Sequence, residues 1–180
     1  DNDDYMSKGY VPLREQYDNS VSHALEYYIA DFALSRFAEA LGKKKDAEMF
    51  YKRSLGYKHY YSKEFGTFRP ILPDGTFYSP FNPRQGENFE PNPGFHEGSA
   101  WNYSFYVPHD VYGLAKLMGG KNPFIKKLQM VFDEGLYDPA NEPDIAYAHL
   151  FSYFRGEEWR TQKETPVSYT HLRAHETCAD

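Results

Sequence analysis

The chain has 180 residues, of which 41% are hydrophobic and 18% aromatic, and this length suits one compact domain. Its formal net charge of -6 at pH 7 argues against nucleic acid as a partner, because no basic surface is available to neutralise phosphates. Its apolar runs are far shorter than the roughly 20 residues of a transmembrane helix, so no membrane span is predicted.

Two further features of the composition bear on function. The 17 tyrosines provide side chains with an apolar body and a polar tip, which suit a wet cleft or a carbohydrate surface as well as a core. Cys178 is the only cysteine, so a metal would need oxygen ligands rather than thiolates. The chain begins at Asp1 without an initiator Met or a signal sequence, which indicates an internal start.

The first strong helical pattern begins with Asn19 or Ser20 as the N-cap and continues to Leu41, where Gly42 is a typical stop. A second helix is predicted over residues 45–61, and the short link between the two makes them antiparallel. The pair resembles one tetratricopeptide unit, but no second copy follows at the required spacing of about 34 residues.

Residues 64–95 are predicted to form a long loop, because their prolines and glycines are too dense for a helix. The loop is also too rich in aromatic residues, including Phe65 and Phe89, for a disordered linker. We therefore expect it to pack over a cleft, with a turn at Asp74-Gly75.

Shorter helices are predicted after this loop, and no strand is predicted. The residues therefore indicate an all-α fold of antiparallel helix hairpins with long aromatic loops. The predicted helices are 99–106, 109–118 with Pro108 at its start, a helix from Asn122-Pro123 to Gly135, and one around Tyr147–Phe154.

The helical pattern breaks near Glu164. Residues 1–164 are assigned to the helical domain, and residues 165–180 to a non-native-looking tail that resembles translated sequencing-adapter read-through. His171 and His175 have a spacing that suits a metal, but they are discounted because they lie in this tail.

Glu97 is the first candidate site residue, because it stands in an unusually aromatic run. If Phe95, Trp101 and Tyr103 bury its carboxyl group, desolvation would raise its pKa and make it a general acid at neutral pH. The alternative is a first-turn acid that the helix dipole favours.

Asn141-Glu142-Pro143 is the second candidate. Amide and carboxylate oxygens are hard ligands that suit calcium, although a helix cap followed by a dipole-favoured acid is an equally simple interpretation. Glu26 and Asp31, on the first helix, are carboxylates in an apolar setting that are either ion-paired or close to a site.

Five motifs, in this order, resemble the catalytic domain of family 92 glycoside hydrolases, and the resemblance covers nearly all of residues 5–163. The sequence departs from the family at Ser99, where Asn is common, and at Asn102, where Gln is expected. The motifs are Ser20-Val-Ser-His-Ala-Leu-Glu-Tyr-Tyr-Ile-Ala-Asp31, Phe95-His-Glu-Gly-Ser-Ala-Trp-Asn-Tyr-Ser-Phe-Tyr-Val-Pro-His-Asp110-Val111, Leu117-Met-Gly-Gly120, Asn141-Glu-Pro-Asp144 and Trp159-Arg-Thr-Gln162.

The resemblance implies a calcium-dependent, inverting exo-α-mannosidase that hydrolyses terminal α-mannosides of glycans. It also implies an N-terminal β-sandwich domain and a C-terminal (α/α)6 toroid, of which this chain would be a part. Glu97 would be the general acid, and Asn141 and Glu142 would help to hold calcium. His96 and Trp101 are assigned to substrate binding, with packing around Glu97 as the alternative for Trp101.

The family's general base belongs to a later Gly-Asn-Asp-Asp-like motif that this chain does not reach, so the chain alone is expected to be inactive. The full-length parent is expected to be secreted, periplasmic or at the cell surface. Two alternatives remain open. One is another (α/α)6 carbohydrate-active enzyme, such as a glucosidase or lyase, and the other is a helical carbohydrate-binding scaffold.

Overall fold

The structure is a computed structural model that describes residues 2–15, 18–86 and 92–166. This part of the chain is mostly helical, as predicted. The helices are α1 (Asn2–Lys8), α2 (Ser20–Ala40), α3 (Lys44–Ser54), α4 (Ala100–Tyr103), α5 (Val111–Leu117), α6 (Lys121–Asp133), α7 (Tyr147–Leu150) and α8 (158–166), with 3₁₀ turns at Leu55–Tyr60, Glu142–Asp144 and Phe151–Tyr153.

Helices α2 and α3 form the predicted hairpin. Gly42 ends the first helix with a φ of +70°, a left-handed conformation that favours glycine. The second helix is shorter than predicted, since the α-helix ends at Ser54 and continues as a 3₁₀ turn. A Cβ atom on Gly56 would lie only 2.6 Å from the carbonyl oxygen of Gly9, so this turn packs directly against the lead-in segment.

The prediction of no strands was wrong at one place. Strands β1 (Tyr61–Ser62) and β2 (Thr67–Phe68) pair antiparallel, with Tyr61 opposite Phe68 and Ser62 opposite Thr67. Gly66 closes the hairpin with a φ of +71°, and its N–H donates to the Ser62 carbonyl at 2.7 Å. Two residues per strand are too few to produce an alternating sequence pattern.

The structure describes the long loop over residues 64–86 and 92–95, and no α-helix interrupts these residues. The predicted turn at Asp74-Gly75 is present, since the N–H of Leu72 donates to the Thr76 carbonyl at 2.8 Å. Residue Phe89 lies outside the described residues. The guanidinium of Arg69 holds the loop together by packing over the rings of Phe65, Phe77 and Phe81.

Helix α5 begins two residues later than predicted. Asp110 is its N-cap, and the Asp110 carboxylate accepts a hydrogen bond from the N–H of Gly113 at 3.0 Å. A carboxylate that satisfies a free first-turn N–H makes a better helix start than Pro108, which lies in the preceding turn.

The C-terminal helices also differ from their predicted bounds. The helix predicted around Tyr147–Phe154 is divided into α7 and a 3₁₀ turn. Helix α8 runs to residue 166, two residues past the boundary placed at 164. His171, His175 and Cys178 lie outside the described residues.

Buried tyrosines explain much of the unusual composition. Tyr28, Tyr57, Tyr60 and Tyr147 are all fully buried. Their hydroxyls donate to Gly9, Asp110, Val11 and Asn102, respectively, at 2.6 to 2.8 Å. Because burying an unpaired hydroxyl is costly, these bonds fix the loops to which the rings reach.

The outer part of the α2–α3 hairpin presents apolar side chains to solvent. Phe37 is 63% exposed and Leu41 is 56% exposed, with Leu34, Met49 and Tyr51 close to half exposed. None of the described helices is both long and apolar enough to cross a membrane.

Candidate active site

The segment that carries Glu97 docks on the first turn of α2. The carbonyl of Gly94 accepts hydrogen bonds from the N–H groups of Val21 and Ser22, at 2.9 and 3.2 Å. The N–H of His96 donates to the Ser22 hydroxyl at 2.9 Å, which adds a side-chain contact to the same turn. The position of Glu97 therefore depends on the start of this helix.

The Glu97 carboxyl is half-exposed. Its side chain is 51% exposed, and its Oε1 lies 3.6 Å from Nε2 of His96. The aromatic rings do not bury it, because Phe95 and Tyr103 are themselves buried and pack against each other, with ring centroids 5.6 Å apart. These rings pack beneath the backbone of the segment and leave the Glu97 carboxyl exposed to solvent.

Helix α4 begins immediately after this segment with a capping box. The Ser99 hydroxyl accepts a hydrogen bond from the N–H of Trp101, and the side-chain Oδ1 of Asn102 accepts one from the N–H of Ser99 at 2.7 Å. This reciprocal capping fixes the chain two residues after Glu97.

Asn141 lies at the start of the 3₁₀ turn Glu142–Asp144, in a loop that follows α6. Its N–H donates to the Asp138 carbonyl at 3.1 Å. The Asn141 side chain is buried, and its Nδ2 has no hydrogen-bond partner among the described residues. This buried nitrogen is therefore an unsatisfied polar atom of the motif.

Glu97 and Asn141 line the same cavity, which has a volume of about 270 Å³. One wall is the segment around Glu97, and the other is the loop that contains Asn141. The lining residues are Gly86, Glu97, Gly98, Asn102, Gly135, Leu136, Tyr137, Asp138, Ala140 and Asn141.

His96, Trp101 and Glu142 do not line this cavity. The His96 side chain is 64% exposed beside Glu97, and its Nδ1 lies 3.1 Å from the side-chain Nδ2 of Asn19. Trp101 is only 9% exposed and belongs to the core, which favours its alternative role in packing.

Glu142 lies on a second face of the same turn, exposed to solvent. Burial raises the pKa of Tyr106, and the carboxylates of Glu26 and Glu142 raise it further, with Glu26 hydrogen-bonded to its hydroxyl. Glu26 on α2 and Glu142 therefore both lie near Tyr106, and Glu26 forms no ion pair among the described residues.

Asp31 has a structural role. It is buried, accepts hydrogen bonds from Arg53 and from the hydroxyl of Tyr5, and forms an ion pair with Arg53. This confirms the ion-paired alternative for Asp31.

Asp144 belongs to one of the motifs quoted above, but its sequence position alone indicated no role. Asp144 is fully buried, and its Oδ2 accepts hydrogen bonds from Asn102 at 2.7 Å and from the N–H of Asp138 at 2.8 Å. Burial raises the pKa of its carboxyl well above the ordinary value. The only sequence feature that could have pointed to Asp144 is its position as an acid three residues after Asn141, at the end of a proline-containing turn.

The donor chemistry of Asn141 and Glu142 fits calcium, which binds carboxylate and amide oxygens. If the Asn141 side chain were rotated so that its oxygen took the place of the unpartnered nitrogen, that oxygen would have no hydrogen bond to lose on binding an ion. Calcium takes about 6–8 oxygen ligands. The described residues contain no cluster of three or more His, Cys, Asp or Glu side chains for a metal, so other ligands would be needed.

Sequence comparison matches residues 1–171 to the glycosyl hydrolase family 92 catalytic domain. A mostly helical fold with a carboxyl-lined cavity, together with this match, defines a glycoside hydrolase catalytic domain. The chain belongs to glycosyl hydrolase family 92 and represents part of that domain.

Solved structures with the same fold are family GH92 enzymes from Bacteroides thetaiotaomicron. The α-mannosidase BT3965 is 33% identical with a TM-score of 0.79, over 89% of this chain and 21% of that chain. Its complex with mannoimidazole gives 30% identity and a TM-score of 0.82, over 92% and 24%. The inverting mannosidase BT2199 is 28% identical with a TM-score of 0.79, over 90% and 24%.

A curated relative from Arthroderma benhamiae, named an uncharacterized secreted glycosidase, is 25% identical over 175 residues. The match covers 83% of this chain and 22% of that protein. The chain therefore spans between a fifth and a quarter of the length of these relatives.

Proposed function

We propose that this chain is part of a calcium-dependent, inverting exo-α-mannosidase that removes terminal α-mannose from glycans. The observation that carries the proposal is that Glu97 and Asn141 line one cavity in a member of family 92. Mannose is supported as the sugar because one solved relative is an inverting mannosidase and another is in complex with mannoimidazole. A volume of about 270 Å³ suits a single terminal sugar unit better than a long chain.

Glu97 is the proposed general acid. Its carboxyl would donate its proton to the glycosidic oxygen while the bond from that oxygen to C1 of mannose breaks. A water molecule would attack C1 from the opposite face and give its proton to a carboxylate base about 6.5–9.5 Å from the acid. We place that base in another part of the longer protein, so the chain alone would be inactive.

Asn141 and Glu142 are proposed to hold calcium through their side-chain oxygens. The remaining ligands would come from water, substrate or other parts of the longer protein. A bound calcium ion would supply a positive charge that holds sugar hydroxyl groups. The exposed imidazole of His96, next to Glu97, is proposed to bind the sugar.

We also propose that the helices belong to an (α/α)6 toroid preceded by a β-sandwich domain. The apolar side chains that α2 and α3 expose support this, because a further helix pair would cover them. By analogy with the secreted relative, the full-length protein is proposed to act outside the cytoplasm, at the cell surface, in the periplasm or after secretion.

The test is mannose release from α-mannosides by the full-length protein that contains this chain. Glu97→Gln should slow the hydrolysis of a glycan linkage by about 10²–10⁴-fold but affect an activated aryl mannoside much less, because only the poor leaving group needs a proton. Glu39→Gln, at an exposed carboxyl on α2, is the matched control. Equal losses on both substrates would contradict the acid role.

Two outcomes would favour the alternatives. Release of another sugar, with none of mannose, would indicate a different carbohydrate-active enzyme. Binding of a mannoside without any hydrolysis by the full-length protein would indicate a carbohydrate-binding scaffold.

A further inference from the structure

Asn102 lines the cavity, but its side chain is fully occupied by protein partners. Its Nδ2 donates to Oδ2 of Asp144 at 2.7 Å and to the Leu136 carbonyl at 2.9 Å. Its Oδ1 accepts from the N–H of Ser99 at 2.7 Å and from the Ser99 hydroxyl at 3.0 Å. Both partners of the nitrogen accept and both partners of the oxygen donate, so the orientation of this amide is fixed.

Asp144 holds the other side of this arrangement. Its Oδ2 also accepts from the N–H of Asp138 at 2.8 Å. Asp144 is also the last residue of the 3₁₀ turn Glu142–Asp144. Its N–H donates a hydrogen bond to the carbonyl of Asn141 at 3.0 Å. The carboxyl therefore joins the loop at 136–138 to the turn that presents Asn141.

Asn102 also touches the residue that follows Glu97. Gly98 has a φ of +71°, and a Cβ atom at that position would lie 2.5 Å from Oδ1 of Asn102. Only glycine fits this close approach without strain. The backbone on the C-terminal side of Glu97 is therefore seated on the Asn102 amide.

We propose that Asn102 and Asp144 form a positioning pair that sets Glu97 relative to Asn141 across the cavity. The pair connects the two walls through hydrogen bonds between buried groups, and neither side chain has to contact the sugar. The inference rests on the proposed function, because it concerns how well Glu97 reaches the glycosidic oxygen.

The expected consequence of breaking the pair is a selective loss of acid catalysis. A displacement of about 1 Å in a catalytic group costs up to about 10²-fold in rate. The loss should be confined to leaving groups that need a proton. The ratio of the rates on a glycan linkage and on an activated aryl mannoside measures this, and it does not depend on how much of the enzyme is folded.

The test uses Asp144→Leu and Asp144→Asn in the full-length protein. An asparagine at 144 keeps an oxygen that accepts from Asn102 and Asp138, whereas leucine removes it. We expect Asp144→Leu to lower the rate ratio by about 10-fold or more and Asp144→Asn to leave it within a few-fold of wild type. If the Leu variant does not fold, Asp144→Ser removes the same bond with less apolar bulk.

The matched control is Glu164→Gln. Glu164 is a buried carboxyl that does not line the cavity, and it accepts a hydrogen bond of 2.8 Å from the Gln129 amide. This variant should leave the ratio unchanged. An unchanged ratio in Asp144→Leu, or in Asp144→Ser where the Leu variant does not fold, would overturn the proposal. So would an Asp144→Asn ratio as low as that of the Leu variant, because the carboxylate charge would then matter more than the bond.

Amide hydrogen exchange separates this inference from the proposed function. The N–H of Ser99 should exchange faster in Asp144→Leu than in wild type, and not in Asp144→Asn, even if the protein releases no mannose. Unchanged exchange of Ser99 in the Leu variant would show that Asp144 does not position the segment.

Discussion

The carbonyl oxygen of Gly94 accepts a hydrogen bond from the N–H of Val21 at 2.9 Å, so the candidate catalytic segment caps helix α2. The first N–H groups of a helix have no partners within it, and Asn19 makes no side-chain cap here. The N–H of Gly94 in turn donates to the Asp18 carbonyl at 2.8 Å. Helix α2 and the segment of Glu97 are therefore stabilised together.

Gly94→Ala should disturb both elements. Gly94 has a φ of +92°, and a Cβ atom there would clash with the ring of Pro70. We expect a loss of roughly 1–3 kcal/mol in unfolding free energy from the backbone strain, with the clash in addition. The measurement is denaturant unfolding of the full-length protein, together with mannose release.

Gly156→Ala is the matched control for this variant. Gly156 has a φ of +89°, but open space surrounds the position of its Cβ atom. A difference between the two variants therefore reports the contact with Pro70. If Gly94→Ala and Gly156→Ala lose the same stability and both keep full activity, Gly94 does not determine the position of the segment that carries Glu97.

Arg53→Met should strongly destabilise the α2–α3 hairpin. Arg53 is paired with buried Asp31, whose side chain is only 5% exposed, and the substitution would leave that carboxylate without its cation. Breaking a buried pair by removing one partner typically costs about 3–5 kcal/mol. Unfolding of the full-length protein by heat or denaturant measures the loss.

Arg36→Met is the control for Arg53→Met. Arg36 pairs with Glu39 on the same hairpin, but the two side chains are 65% and 60% exposed. An exposed pair contributes at most about 1 kcal/mol. Similar losses in the two variants would show that burial does not determine the strength of the Asp31 pair.

Apolar residues at helical spacing, followed by a glycine, predicted the longest helix, although its outer half exposes part of that apolar stripe, including Phe37. Helix α2 and its stop at Gly42 follow from such a pattern. The start of α5 did not follow, because it depends on the Asp110 carboxylate bonding to Gly113 rather than on the nearby proline. The hairpin at 61–68 has too few residues for any pattern.

For the site, motif order identified Glu97 and Asn141, and both line the cavity. The exposure of Glu97 was not predictable, because it depends on whether Phe95 and Tyr103 pack over the carboxyl or beneath the chain. The hydrogen bonds of Asp144 were equally hidden. Its partner Asn102 is 42 residues away, and only the fold brings them to 2.7 Å.

His109 should make stability depend on pH. Its Nε2 lies 2.9 Å from the Ser54 carbonyl, which only accepts, so Nε2 carries the proton. Its buried Nδ1 has no hydrogen-bond partner within the part of the chain that the structure describes. The rings of Phe32 and Tyr57 pack against the imidazole. Burial lowers the pKa of His109 below 6.5, while the Ser54 carbonyl and Asp110 act in the opposite direction.

Because the folded pKa of His109 is lowered, its contribution to stability is present above the unfolded value of about 6.5. The contribution is lost as the pH falls through the folded pKa, since the unfolded chain binds a proton that the folded chain does not. His109→Gln keeps a donor for Ser54 but cannot titrate. The unfolding free energy of the wild-type protein should therefore fall more steeply from about pH 7 to about pH 5 than that of the variant.

The control for this comparison is His149→Gln, at an exposed residue of α7, which should keep the wild-type slope. Identical slopes for wild type and His109→Gln would contradict the effect of burial. A steeper slope in the variant would do so as well.

Asn141→Ala should weaken the response of the full-length protein to calcium. A ligand that binds only the folded state adds about 2.7 kcal/mol of stability at 100 times its Kd, so calcium should raise the Tm of the wild-type protein after treatment with a chelator. The variant should need more calcium for the same rise, because a buried amide in the cavity is lost. Asn122→Ala, at an exposed residue of α6, should respond like wild type. If chelation changes neither the Tm nor the mannose release of the wild-type protein, the site does not bind calcium. If Asn141→Ala responds to calcium in the same way as Asn122→Ala, Asn141 is not a calcium ligand.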